Sequence, residues 1–250
     1  GLSATPEREG DDSFETVLVP ALGRIFYEYG YNEAAADGII SEFDLVNIRV
    51  ELSSAEEDQY DRLTASIARQ MSANSGLDDL KVRQLLLSRA RVVACARMRV
   101  PVAVKLVERF PSIRTLVFHE RVSAAREIHD LLVARGHSVA LYHSGLEPAV
   151  RRDNLRQYRR GIFDVLVTCR ALDEGIDVPE TAVAVIASAT GSSRQRIQRL
   201  GRALRPASKK SHATVLTIYA TAQEEERLRQ EERSLTEARS VAWETARSAE

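Results

Sequence analysis

Between residues 111 and 219 the chain alternates short, almost wholly apolar runs with amphipathic stretches, and this rhythm limits the fold more than any other feature. The runs lie at 115–119, 138–142, 165–168, 182–187 and 213–219, and are rich in valine, isoleucine and leucine. A strand wet on one side alternates apolar with polar residues. A run apolar throughout is buried on both faces, as in a parallel sheet covered by helices. The stretches between, at 123–135 and 147–160, have helical periodicity and close on Gly136 and Gly161, as helices do. Parallel neighbours need long crossovers, which these helices supply. The predicted fold is α/β, a parallel sheet with helices on both faces.

Ahead of this unit the pattern is different. Residues 42–52 have strand character through Phe43, Leu45, Val46, Ile48, Val50 and Leu52. Ser54 with Glu57 three residues on is a capping-box signature and opens a helix to about Met71. Helices are also predicted over 77–97 and 100–110, with Pro101 tolerable near a helix start. Arg83, Arg89, Arg91, Arg97 and Arg99 in this helical segment read first as a solvated face and second as a nucleic-acid surface. A short strand is expected at 26–29 and a helical turn at 32–37, behind a charged link at 7–13. Residues 223–250 read as a charged helix. Leu228, Leu235 and Ala242 stand a heptad apart, a run too short for a coiled coil, and Trp243 either docks this helix or belongs to a frayed tail.

The formal net charge of −1 excludes a global basic field, so any nucleic-acid contact must come from a local patch. Cys95 and Cys169 have no cysteine neighbours, so neither a metal centre nor a disulfide framework is expected. No apolar stretch approaches membrane-spanning length and no signal-peptide pattern opens the chain. The expected location is the cytoplasm, with no membrane partner.

Five segments stand out against this framework. In the last, Ser192 is a candidate N-cap with Gln195 three residues on, and Gln198, Arg202 and Arg205 then share one helix face while Ile197, Leu200 and Leu204 line another. Guanidinium groups in such a row suit phosphate oxygens, because the planar fork holds them in fixed geometry and stays charged. The run 165–168 leads into a polar loop with Gly175 and an isolated Asp177 before Pro179, as a buried strand ends at a ligand-facing loop. Upstream stand Thr115-Leu116-Val117-Phe118-His119 and Tyr142-His143-Ser144-Gly145, and the chain opens Gly1-Leu2-Ser3-Ala4-Thr5-Pro6. Phe118 and His119 read equally as strand-end core.

In order, these resemble the later motifs of superfamily 2 helicases. Ser3-Ala4-Thr5 resembles motif III, residues 116–119 motif IV, residues 168–177 motif V and residues 198–205 motif VI. The resemblance covers residues 1 to about 220 and implies the second of two RecA-like motor domains. It further implies that Arg202 and Arg205 reach the outer phosphates of ATP, Arg205 as the finger, that Gly175 and Asp177 meet the nucleotide, and that Gln198 couples the two sites. Thr168, Cys169, His143, Ser144 and Gly145 would contact nucleic acid, and Ser3 and Thr5 would relay the signal from the other side. Many relatives have threonine where Cys169 stands, which moves the phosphate contact to Thr168 or removes it. Glu174 and Gln198 replace the arginine and histidine usual in DEAD-box RNA helicases. Glu174-Gly175-Ile176-Asp177 and Gln198-Arg199-Leu200-Gly201-Arg202 are more similar to DNA helicases of the xeroderma pigmentosum group B type, as is Tyr27-Glu28 ahead of Asp37-Gly38.

The implied organisation is motif III and a hinge over 1–12, the second RecA-like domain over 13–221 with its helical segment at about 54–110, and a C-terminal helix over 222–250. The sequence contains no G-x-x-x-x-G-K-[ST] run and no Asp-Glu pair in a motif II context. The expectation is therefore the C-terminal half of a larger protein, inactive alone, that uses ATP with Mg2+ held by its N-terminal RecA-like domain. DNA is the expected partner, with RNA as the alternative. The competing reading is a helicase-like scaffold that binds nucleic acid without turnover.

Overall fold

The computed structural model describes residues 14–27, 43–72, 80–169, 181–188, 213–233 and 238–246. Among these residues seven parallel strands form one sheet: β1 (Phe43–Arg49), β2 (Thr115–His119), β3 (Val139–Tyr142), β4 (Val165–Thr168), β5 (Val183–Ser188), β6 (Ala213–Tyr219) and β7 (Ala238–Thr245). Their spatial order is β3-β4-β2-β5-β6-β1-β7. The helices are α1 (Ser54–Ser72), α2 (Leu80–Ala94), α3 (Arg99–Glu108), α4 (Val122–Ala134), α5 (Pro148–Arg159) and α6 (Ala222–Glu232). A short helical turn, Phe14–Leu18 followed by Val19–Leu22, precedes them and was not anticipated. Phe26 and Tyr27 are exposed coil, so the strand expected there is absent as far as Tyr27; the rest of it and the turn at 32–37 lie outside the described residues.

Alternate residues of the same strands enter two separate cores. Val117, Val167, Val183, Val185, Leu216 and Ile218 pack beneath α3 and α4, against Ala103, Leu106, Ile128 and Leu132. Leu116, Phe118, Leu166, Ala184, Ile186 and Val215 face the other way, with Tyr158 of α5. Two-sided burial is why the strands read as continuous apolar runs. Phe118, 1% exposed, is core.

The glycine stops act through left-handed backbone. Gly136 has φ 82° and Gly161 has φ 75°. His137 N donates to the Leu132 carbonyl at 3.0 Å and Gly136 N to Val133 at 2.9 Å; Ile162 and Gly161 repeat this pair on Gln157 and Tyr158. These are Schellman closures, in which a side chain at the positive φ would be strained.

Three expectations are corrected. The cap lies one residue earlier than expected and is half a capping box: Ser53, not Ser54, donates its amide and hydroxyl to Glu56 at 2.8 and 2.9 Å. Glu56 is selected because its other oxygen also accepts the Arg97 amide at 2.8 Å. Arg99 is no surface residue. It is fully buried, at the start of a helix whose first turns, Val100, Val102, Ala103 and Val104, are buried with it. The C-terminal helix ends at Glu232 and residues 238–245 form β7, since β1 offers an edge whose backbone groups need a partner. Asp44 pins the start of β7, accepting Arg239 Nε at 3.1 Å and Ser240 Oγ at 2.6 Å. Trp243 docks this strand, with its ring 4.1 Å from the Arg229 guanidinium carbon and edge-on to Tyr219.

Candidate functional site

Parallel strands bring all their carboxyl ends to one edge of the sheet, and in open α/β folds that edge is where ligands bind. Here it gathers His119 from β2, the His143-Ser144-Gly145 loop after β3, Thr168 and Cys169 from β4, and Ser188 from β5. Tyr142 and Phe118 both register with Thr168, and Cys169 N donates to the Tyr142 carbonyl at 3.2 Å. The five residues expected to meet nucleic acid therefore sit together. They differ in access: His143, Thr168 and Cys169 are buried, whereas Ser144 and Gly145 are exposed. The Thr168 hydroxyl has no hydrogen-bond partner among the described residues. Ser3, Thr5, Gly175, Asp177, Gln198, Arg202 and Arg205 lie outside the described residues.

His143 shapes the exposed loop. Its Nδ1 accepts the Gly145 amide at 3.0 Å, and the Leu146 amide returns to the His143 carbonyl at 3.1 Å. A Cβ on Gly145 would meet Nδ1 at 3.1 Å and Cε1 at 3.2 Å, so the close approach of backbone to ring favours glycine, and a larger residue would push the ring by a few tenths of an ångström. Arg126 Nε lies 3.3 Å from Nε2 on the far side. A neutral imidazole has one acceptor nitrogen, so it serves one of these two donors, and the shorter contact to Gly145 takes it. Burial and then the Arg126 charge hold the His143 pKa below its ordinary value, which keeps the ring neutral.

His119 is also held neutral. Burial, followed by the charge of Arg99, pushes its pKa down to about 4. Its Nδ1 accepts the Arg121 amide at 3.0 Å. The opposite nitrogen leans on the Ala94 carbonyl, whose pull is outweighed and whose geometry falls short of a hydrogen bond. Neither histidine supplies positive charge at the edge near neutral pH. Exposed Arg126 does. Sequence reasoning missed it, although a basic residue just inside the helix after a strand that ends at this edge is the signal that would have found it.

Two segments singled out in the sequence leave from this edge. One follows Cys169 at the end of β4 and the other follows Ser188 at the end of β5, with only β2 between those strands. At a strand spacing of about 4.8 Å, the two departure points are roughly 10 Å apart. The stretches 170–180, with Gly175 and Asp177, and 189–212, with Arg202 and Arg205, thus begin close together on one edge.

The family described as the helicase conserved C-terminal domain matches residues 99–207. The chain is 25% identical over 240 residues to the DNA 3'-5' translocase XPB2 of Sulfurisphaera tokodaii, covering 89% of this chain and 53% of that protein. It is 29% identical over 226 residues to the DNA 3'-5' helicase XPB of Kineococcus radiotolerans, covering 88% of this chain and 35% of that one. The chain thus spans about half the length of the first relative and about a third of the second. Its fold is similar to the C-terminal domain of the DEAD-box protein Dbp5, with a TM-score of 0.54 at 15% identity over 82% of this chain and 91% of that chain. Residues 99–207 thus match the superfamily 2 helicase C-terminal domain, and most of the chain is similar in sequence to DNA helicases and translocases of the xeroderma pigmentosum group B type.

Proposed function

We propose that this chain is the second motor lobe of an ATP-driven DNA translocase, and that its carboxyl edge closes on a nucleotide held by the first lobe of the same protein. The observation that carries this reading is the departure of the segments after β4 and β5 from one edge, separated by a single strand. That arrangement supports Gly175 and Asp177 on the nucleotide, Gln198 as the coupling residue, and Arg202 and Arg205 as the charges that neutralise the outer phosphates. Phosphoryl transfer needs positioning and charge compensation more than covalent help, and an arginine delivered across a cleft supplies both. ATP enters with Mg2+, whose ligands this reading assigns to the first lobe. Ser3 and Thr5 relay closure between lobes.

The same edge offers DNA an exposed loop, Ser144 and Gly145, beside the guanidinium of Arg126. An exposed hydroxyl and one cation read phosphate and sugar and not base identity, which suits a motor that must pass any sequence. Thr168 and Cys169 line the base of that track. DNA is favoured over RNA by Glu174 and Gln198, which depart from the DEAD-box pattern.

The test is steady-state ATP hydrolysis by the native full-length protein, alone and with single-stranded DNA or RNA. Turnover stimulated by DNA and weakly by RNA is the expected result, and the 250-residue chain alone should turn over no ATP. Absence of hydrolysis with DNA overturns the motor in favour of a scaffold. Stimulation by RNA alone overturns the choice of nucleic acid.

A further inference from the structure

Arg99 uses its whole donor set. Its Nε donates to the Val93 carbonyl at 2.7 Å, one terminal nitrogen donates to Ala187 at 2.9 Å and Ile218 at 2.7 Å, and the other takes both Glu224 oxygens at 2.7 and 2.8 Å. Five N–H groups meet five acceptors, which only a guanidinium can do. Glu224 in turn accepts the Ala220 amide at 2.8 Å. One buried side chain therefore ties the end of α2, the carboxyl ends of β5 and β6, and the first turn of α6 to one another. Ala187 is the penultimate residue of β5, and the connection that contains Gln198, Arg202 and Arg205 begins just beyond it.

We propose that Arg99 is a positioning residue for turnover: it fixes the point from which the 189–212 connection leaves the sheet and couples that point to the helical segment and to α6. This rests on the motor reading above. Catalytic geometry tolerates little displacement, since an error of about 1 Å in a reacting group costs on the order of a hundredfold in rate. A side chain that sets the departure of the arginine-bearing connection is therefore expected to move kcat more than substrate affinity.

The experiment uses the native full-length protein with Arg99→Lys, Glu224→Gln and, as a control on the reading itself, Arg205→Ala. Lysine keeps the charge but offers three donors for five acceptors. In Arg99→Lys, kcat for DNA-stimulated hydrolysis should fall by about ten- to a hundredfold while KM for ATP stays within about threefold. The loss should persist at temperatures well below the variant's Tm, where a merely weakened fold regains full activity. Glu224→Gln, which turns one acceptor into a donor, should show a smaller loss of the same kind. A folded Arg99→Lys with unchanged kcat overturns the proposal, as does a loss that vanishes on cooling. Should Arg99→Lys fail to fold, Glu224→Gln decides by the same two criteria, and failure of both to fold leaves Arg99 a structural residue and overturns the proposal. If Arg205→Ala abolishes turnover while Arg99→Lys is normal, only this inference falls. If Arg205→Ala is unaffected, the motor reading falls first.

Discussion

Replacing Arg99 by methionine removes a cation that is completely shielded and strands a carboxylate that is nearly so. The Arg99 side chain is 0% exposed and that of Glu224 14%. Breaking such a pair from one side costs about 3–5 kcal/mol, because the remaining charge stays desolvated. Glu224→Leu should cost a similar amount, since it leaves the guanidinium donors and the Ala220 amide without their acceptor. In Arg99→Met/Glu224→Leu no charge is left behind. The two losses should therefore fail to add, with a coupling energy of about 2–3 kcal/mol, the upper part of the range for groups in one network. Trp243, the single tryptophan, is a suitable probe because it lies against Arg229 of α6 and Tyr219 of β6. Urea unfolding of the four proteins, followed by its fluorescence and by far-UV circular dichroism, gives the cycle. Additive losses, with coupling below about 0.5 kcal/mol, would refute the reasoning, because they would mean the two charges are independently solvated.

Three further outcomes rest on named contacts. His119 titrates at about 4 when folded against 6.5 ordinarily, so the unfolded chain binds the proton more readily between those values. Its contribution is complete above 6.5 and is lost as pH falls toward 4, by up to roughly 3 kcal/mol, and His119→Asn should flatten the urea midpoint's decline over that window. Identical pH slopes for the two proteins would remove His119 from the account. Tyr158 donates to or accepts from Thr181 at 2.9 Å in the core, so Tyr158→Phe should cost about 1–2 kcal/mol in the same melt by stranding the Thr181 hydroxyl; a neutral effect would contradict this. Arg126→Ala in the native protein should weaken DNA binding uniformly across sequences and lower the magnitude of the salt slope by about one. An unchanged slope would show that Arg126 meets no phosphate.

The central strands were legible because they are buried on both faces: apolar residues predominate at 115–119, 165–168 and 213–219, with no strict alternation of apolar and polar positions. Gly136 and Gly161 were legible because a positive φ has few other occupants. β7 was hidden. Its sequence, ARSVAWET, has helix formers and charges on both faces, and only the open edge of β1 makes it a strand. Arg99 was hidden by its neighbours, since Arg97 two residues earlier is exposed and the run looked uniformly basic. The cue lay immediately downstream in the chain: Val100, Val102, Ala103 and Val104 make the first turns of α3 apolar, which favours a buried, paired charge over a solvated one at its start. For the site, the order of motifs along the chain predicted that His143, Ser144, Gly145, Thr168 and Cys169 would assemble. Sequence spacing could not tell which of them face solvent, because that depends on how the loop folds over His143.

The most direct test of the motor account is the turnover number of the native full-length protein carrying Arg205→Ala, measured at saturating DNA and ATP. The account predicts a fall of about a thousandfold or more, with DNA affinity within a few-fold of the unaltered protein. Turnover that survives the loss of that guanidinium would contradict it.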